Sequence, residues 1–383
     1  MSPPIPYSSP IPYAPDIEKP IDDEAEISAD LVKALLTISR KTFADTHHGL
    51  RSVHAKSHAL LIGELTVEPD LPPELAQGLF ATADAYPVVM RFSTTPGDIL
   101  PDSVSTPRGL AIKIVGTIGE RLTASENDVT QDFVMVNAPA FHTSNAKGFL
   151  AGLKLLAATT DKGEGLKVVA SAVLQGTEKV IEALGGKSGA IRGLGGEPAN
   201  HPLGETYYTA VPLRFGDYMA KLSLVPVSPD LTELKGHRIE MKSKTAIREA
   251  MVDHFSIYGS TWELRAQLCT DIETMPIEDA ARVWPEDKSP YVTVARLAVE
   301  PQTAWSQERS TGIDDGMSFS PWHGLAAHRP LGSIMRLRKA AYEASAGFRA
   351  EKSGLTIIEP RTLDGLFNDD ELATADKTEV FYP

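Results

Sequence analysis

The feature that most constrains this chain is a succession of eight short apolar runs, at about 55–68, 87–94, 108–116, 132–137, 206–215, 220–227, 261–271 and 290–299, several of them edged by proline or glycine. Runs of this length with turn residues at their borders read as strands. Eight strands with helical excursions between them suit an α+β fold, an eight-stranded antiparallel β-barrel with surrounding helices. A helix over about 28–46 precedes the first strand, with Leu31, Leu35, Ile38 and Phe43 spaced for burial on one face. The stretch 149–184 reads as helices ending at Gly185-Gly186, followed by a glycine-rich loop to about residue 204.

A chain of 383 residues with 42% hydrophobic content buries a large core, as one elaborate domain or as two. Residues 1–20 form a proline-rich arm with the near-repeat Pro4-Ile-Pro-Tyr7 and Pro10-Ile-Pro-Tyr13; it is either extended and mobile or packed on a partner subunit. A formal charge of −14 argues against nucleic-acid or anionic-membrane partners. The single cysteine, Cys269, has no internal disulfide partner and is read as a buried strand residue. With no apolar stretch near the roughly 20 residues of a membrane span and no leader pattern, a cytoplasmic location is expected.

Chemistry enters with one helix near the C-terminus. At 3.6 residues per turn, Met335, Arg338, Tyr342, Ala346 and Arg349 share a stripe about 60 to 100° wide, so two guanidinium groups flank one phenol. A tyrosine ligates ferric haem only as phenolate, and Arg338 at i−4 supplies the permanent cation that favours that form. An ordinary surface helix with a half-buried tyrosine would show the same spacing. The upstream residues decide between the two: Arg51-Ser-Val53-His54-Ala-Lys56, where a histidine opens a strand and projects into a barrel, then Arg91-Phe-Ser93 and Pro107-Arg108-Gly-Leu-Ala-Ile-Lys113.

Together these motifs resemble, in order and over roughly residues 43–350, those of the catalase family. Val53-His54-Ala-Lys is similar to the family's distal histidine segment, Arg91-Phe-Ser93 to its Arg-Phe-Ser strand and Pro107–Lys113 to its Arg-Gly-Phe-Ala-x-Lys strand. Val283-Trp284-Pro285 with Tyr291-Val-Thr-Val-Ala-Arg-Leu is similar to its Val-Trp-Pro stretch and following strand, and Arg338, Tyr342 and Arg349 reproduce its spacing around the proximal tyrosine. The resemblance implies a catalase-like haem-binding domain over 21–350 with a C-terminal tail at 351–383, carrying haem b. It implies Tyr342 as iron ligand supported by Arg338, His54 as general acid/base oriented by Ser93, and Arg51, Arg91 and Arg349 on the haem propionates. Val53, Met135, His142 and Ser345 complete the implied cofactor contacts. The implied activity is peroxide decomposition, with hydrogen peroxide or an organic hydroperoxide as substrate, by a homo-oligomer, a dimer or tetramer. The same fold in allene oxide synthase relatives leaves hydroperoxide isomerisation or dehydration open, as it does a haem-binding role with little turnover.

Three departures stand out. At the family's distal asparagine an ungapped alignment puts Val129, with Asn127 and Thr130 close by as candidates for the missing donor. Position 142, where the family packs an aromatic ring on the haem, is His142, next to Phe141. The acidic partner six residues before the proximal arginine is Gly332. The chain is also shorter than catalases, which implies a shorter, wider channel and less embrace between subunits.

Remaining motifs point to no second chemistry. Gly193-Leu-Gly195-Gly196 follows a predicted helix rather than a strand, unlike a dinucleotide loop. His47-His48, His323 and His328 lack ligand partners at zinc spacing and read as surface or loop histidines.

Overall fold

A computed structural model describes residues 8–123, 125–160 and 197–364. Nine strands form one antiparallel sheet: β1 (Ser57–Val67), β2 (Ala85–Thr94), β3 (Arg108–Val115), β4 (Thr130–Val136), β5 (Tyr207–Tyr208), β6 (Leu213–Phe215), β7 (Tyr218–Pro226), β8 (Ser260–Leu268) and β9 (Val292–Val299). Their order is β5-β4-β3-β2-β1-β9-β8-β7-β6, and a further β5–β7 pairing closes eight of them into a barrel. The single strand expected over 206–215 is split. Tyr207 pairs with Leu224 and Leu213 with Ala220, so β5 and β6 share one edge of β7. Between them Ala210 adopts a left-handed φ of 61° and Pro212 lacks an N–H, so the ladder cannot run through.

Strand alternation sorts the side chains. Val88, Met90 and Phe92 of β2, Leu110, Ile112 and Ile114 of β3, and partners from the other strands fill the barrel interior as one apolar cluster. The alternate residues of the same strands, among them Val89 and Ala111, face outward against Ile313, Met317 and Phe319.

Helices cover that outer wall. In α1 (Glu24–Thr46) Leu31, Leu35 and Ile38 are buried together with Ile27, while Phe43 is half-buried edge-on to Phe348 at 6.3 Å. The helix stops where His47 turns left-handed at φ 53° and donates its N–H to Phe43 O. In α2 (Ala146–Thr159) the Asn145 side chain caps the first turn, accepting from Gly148 N at 3.1 Å. The expected helix end at Gly185-Gly186 and the glycine loop at 193–196 lie outside the described residues. A third helix, α3 (Ala246–Phe255), buries Ile247, Met251 and Phe255 on the barrel core. The last, α4 (Ser333–Ser353), packs with α1 and α2 through Leu337 and Ala341.

From residue 8 the N-terminal arm lies on its own chain: Ile11 N donates to Cys269 O at 2.8 Å, Tyr13 N to Asp217 O at 2.7 Å, and Glu18 pairs with Arg329 at 2.6 Å and Arg336 at 2.8 Å. Cys269 is fully buried, and burial pushes its thiol up to about 12. Of the histidines expected on the surface or in loops, His323 does lie in a loop, whereas His328 closes a short 3-10 turn in the interior. His328 is buried and accepts from Leu79 N at 2.9 Å, while His323 sits between Asp132 and Glu359.

Candidate functional site

A cavity opens between the outer wall of β2, β3 and β4 and the faces of α1 and α4. Arg51, Val53, His54, Arg91, Ser93, Met135, Tyr342, Ser345 and Arg349 all line it, although they come from positions up to 298 apart in the chain (349 − 51). The expectation that the histidine points into the barrel is corrected. Strand parity places Phe92 and Leu110 in the interior cluster, which puts Arg91, Ser93, Gly109 and Ala111 on the wall's outer side, where His54 meets them.

His54 lies three residues before β1, with a left-handed φ of 54° that few non-glycine residues adopt. Two backbone bonds hold this turn, His54 N to Thr95 O at 2.7 Å and Ala55 N to Pro96 O at 3.1 Å. Its Nδ1 is 3.1 Å from Ser93 Oγ. Directly across the ladder from Ser93 stands Gly109, where a Cβ would lie 2.5 Å from the imidazole. The glycine makes the room that the ring occupies. Burial pushes the imidazole down, Arg91, Arg338 and Arg51 push it further, and it reaches about 3, so His54 is neutral at neutral pH.

Three guanidinium groups gather on one side. Arg91 donates from Nε to Asp314 Oδ1 at 2.6 Å and from Nη2 to Ala55 O at 3.1 Å. Arg51 donates to the carbonyls of Asp314 at 2.5 Å, Met317 at 3.1 Å and Ile313 at 3.3 Å, and Arg349 to those of Asp314 at 2.6 Å and Met317 at 3.0 Å. Burial lowers Arg51 well below the usual arginine range, and burial with the charge of Arg91 brings Arg349 to about 10. Burial pushes the Asp314 carboxyl up, but Arg91 and Arg51 outweigh it and hold it below the ordinary range.

Opposite chemistry comes from α4. Arg338 Nη2 donates to the half-buried Tyr342 hydroxyl at 2.5 Å, with the guanidinium also over the Tyr342 and Phe141 rings at 5.1 and 5.9 Å. Among the described residues no carboxylate pairs with Arg338. Position 332 has no space for one: Gly332 has φ 87°, its N–H is taken by Glu18 Oε1 at 3.1 Å, and a Cβ there would meet Ile277 O at 2.6 Å.

Three expected residues lie elsewhere. Asn127 is exposed in the turn before β4, its carbonyl accepting from Arg361 at 3.0 Å. Thr130 shares a strand face with Val134, which lines the cavity, but four residues of strand, about 13 Å, separate them. Its hydroxyl is bonded to Glu359 at 2.9 Å. His142 is exposed because Phe141 N is tied to Ala280 O at 2.9 Å, which turns Phe141 rather than His142 toward Arg338. The expected distal donors are therefore absent, and no amide side chain lines the cavity. Sequence reasoning missed Asp314, Phe319 and the role of Gly109. A glycine inside an apolar strand was the one available signal; Asp314 lies on a short π-helical turn that no apolar periodicity marks.

No protein-family model matches the chain, and no curated protein does. Among solved structures it is similar to a fungal catalase, with a TM-score of 0.56 and 16% identity over 88% of this chain and 73% of that one. It is likewise similar to catalase A from Saccharomyces cerevisiae, with a TM-score of 0.55 and 14% identity over 100% of this chain and 78% of that one. The protein is thus catalase-like in fold, a closed eight-stranded antiparallel barrel with surrounding helices.

Proposed function

We propose that this protein is a haem-dependent enzyme that decomposes peroxide, with Tyr342 as the iron ligand and His54 as the acid/base on the opposite side. The observation that carries the reading is one cavity lined at once by a tyrosine paired with an arginine, a neutral histidine and three guanidinium groups. The donor set fits the cofactor. A porphyrin with two carboxylates requires an apolar slot with cations at one edge and an anionic oxygen for ferric iron. Leu35, Ala111, Val134 and Phe319 line the slot, Arg51, Arg91 and Arg349 supply the cations, and Tyr342 is the oxygen.

Ferric haem, when bound, supplies the two-electron redox chemistry that splits the O–O bond. The residues do the rest. Arg338 donates a charged hydrogen bond to the Tyr342 oxygen that would meet the iron and fixes its position. In the tautomer that donates Nδ1–H to Ser93 Oγ, His54 presents Nε2 as a base that takes the proton of an incoming peroxide and returns it to the departing oxygen. The arginines fix carboxylates of the cofactor. Such a protein works on hydrogen peroxide or an organic hydroperoxide, with haem b as the proposed cofactor and a homo-oligomer as the proposed assembly; none of its described helices is long and apolar enough to cross a membrane.

One observation favours a second reading, an isomerase or dehydratase of organic or fatty-acid hydroperoxides. Beside His54 and Ser93 the wall carries Ala111 and Val134 and no amide donor, a surface suited to an alkyl chain. Oxygen evolution from hydrogen peroxide by purified, haem-loaded protein supports the first reading. Rapid consumption of a lipid hydroperoxide without oxygen or added reductant supports the second. Slow reaction with both leaves a haem-binding protein with little turnover. An absorbance spectrum without a Soret band after haem loading sinks all three.

A further inference from the structure

We propose that Asp314 is the positioning residue of the arginine trio, holding Arg51, Arg91 and Arg349 so that together they receive a planar dicarboxylate. This rests on the haem reading above and adds a residue that no sequence motif singled out. Asp314 lies on a six-residue π-helical turn, Ser310–Asp315, a rare geometry that recurs at functional sites. It is buried and stands behind the arginines rather than among the cavity-lining residues. Yet it touches all three guanidinium groups. Its Oδ1 accepts from Arg91 Nε at 2.6 Å and from Arg51 Nη1 at 3.4 Å. Its main-chain oxygen accepts from Arg51 Nη1 at 2.5 Å and Arg349 Nη1 at 2.6 Å.

The carboxylate is in turn fixed. Its Oδ2 accepts from Ser57 at 2.6 Å and Ser310 at 2.9 Å, so the side chain is held from β1 and from its own turn. Three like charges this close repel one another: Arg349 and Arg91 lower the affinity of Arg51 for a proton, and Arg91 lowers that of Arg349. Without a counter-charge at their back they would splay apart or draw in water. A guanidinium already held in place loses less freedom when a carboxylate arrives. The nearby Asp315 is occupied differently, with His48 Nε2 at 2.9 Å.

The rival role for Asp314 is a competing charge that merely weakens anion binding, and the two roles predict opposite signs. The test titrates metal-free protoporphyrin IX and its dimethyl ester into the wild type, Asp314→Asn and Ser310→Ala, following porphyrin fluorescence. Asp314→Asn should weaken the diacid about tenfold or more and leave the diester unchanged, and Ser310→Ala should move the diacid in the same direction by about threefold. Equal or tighter diacid binding by Asp314→Asn overturns the positioning role. Should that variant fail to fold, unchanged diacid binding by Ser310→Ala overturns it instead. A wild type that binds both porphyrins equally, or neither, shows that the haem reading itself has failed and takes this proposal with it.

Discussion

At the scale of single residues, the site depends on where one imidazole can sit. His54 keeps a left-handed backbone at φ 54° because two hydrogen bonds fix its turn and a glycine leaves its ring space. Replacing Gly109 with alanine should push the ring off Ser93 and lower the peroxide rate about 100-fold at unchanged haem content, read as turnover normalised to the Soret absorbance. His54→Ala should retain haem yet lose peroxide activation, whereas Tyr342→Phe should lose haem or shift its spectrum. Unaltered peroxide kinetics in haem-replete His54→Ala would count decisively against the mechanism. Because the imidazole titrates near 3, the peroxide rate should show no acid limb from His54 between about pH 5 and 8.

At the scale of elements, the segment after α4 is fastened across the barrel wall by charge. Glu359 reaches Lys113 at 2.6 Å and His323 at 3.2 Å, while Asp132 holds Lys113 at 2.8 Å and Ser320 N at 2.8 Å. Burial lowers His323, but the adjacent carboxylates of Asp132 and Glu359, at 3.5 and 3.2 Å from its Nδ1, outweigh that and raise it to about 9; burial raises Glu359, but His323 and Lys113 bring it to about 2. The signs set a window. A raised histidine stabilises fully below its unfolded value of 6.5 and loses that contribution as pH climbs through about 9, and a lowered glutamate stabilises above its unfolded 4.5 and loses it as pH falls toward 2. Both contribute together between about pH 4.5 and 6.5. Glu359→Gln should therefore lower stability by about 1–3 kcal/mol at pH 6 and by less at pH 9.5, measured by urea unfolding. An effect that grows with pH contradicts the clasp.

At the scale of the whole molecule, acid sensitivity follows from histidines buried neutral. His54 titrates at about 3, and His201 and His328 at about 4, each mainly through burial. On unfolding all three bind a proton below about 6.5, so stability falls as pH drops through the range from 6.5 toward 4. Glu205 opposes them. Burial raises its carboxyl to about 7, so it holds a proton in the folded chain that the unfolded chain releases. These three histidines outweigh one carboxyl, and His58, which burial also pushes well below its ordinary value, adds to them, leaving a net uptake on unfolding of about 1.4 kcal/mol per pH unit for each surplus proton. Urea midpoints should thus decline from pH 6.5 to pH 4.5, and a flat profile would remove these assignments together.

What the sequence determined by itself is whatever depends on residues close in the chain. Eight apolar runs predict a barrel because strand length and turn residues are local properties, and Arg338 and Tyr342 meet because a helix places i and i+4 on one face. Likeness of motif order also named Arg51, His54, Arg91, Ser93 and Arg349, which the fold brings to one cavity. Local pattern failed at Asn127, Thr130 and His142, since which residue of a strand or turn reaches a cavity depends on register and on distant anchors such as Glu359 and Ala280. The split of β5 from β6 was equally hidden, because Ala210 shows its positive φ only once β7 imposes its pairing. Only the tertiary structure decided that the site lies on the outer wall and that Asp314 stands behind three arginines. Strand parity becomes inside or outside only when the sheet closes, and a counter-charge 223 residues from Arg91 has no local signature.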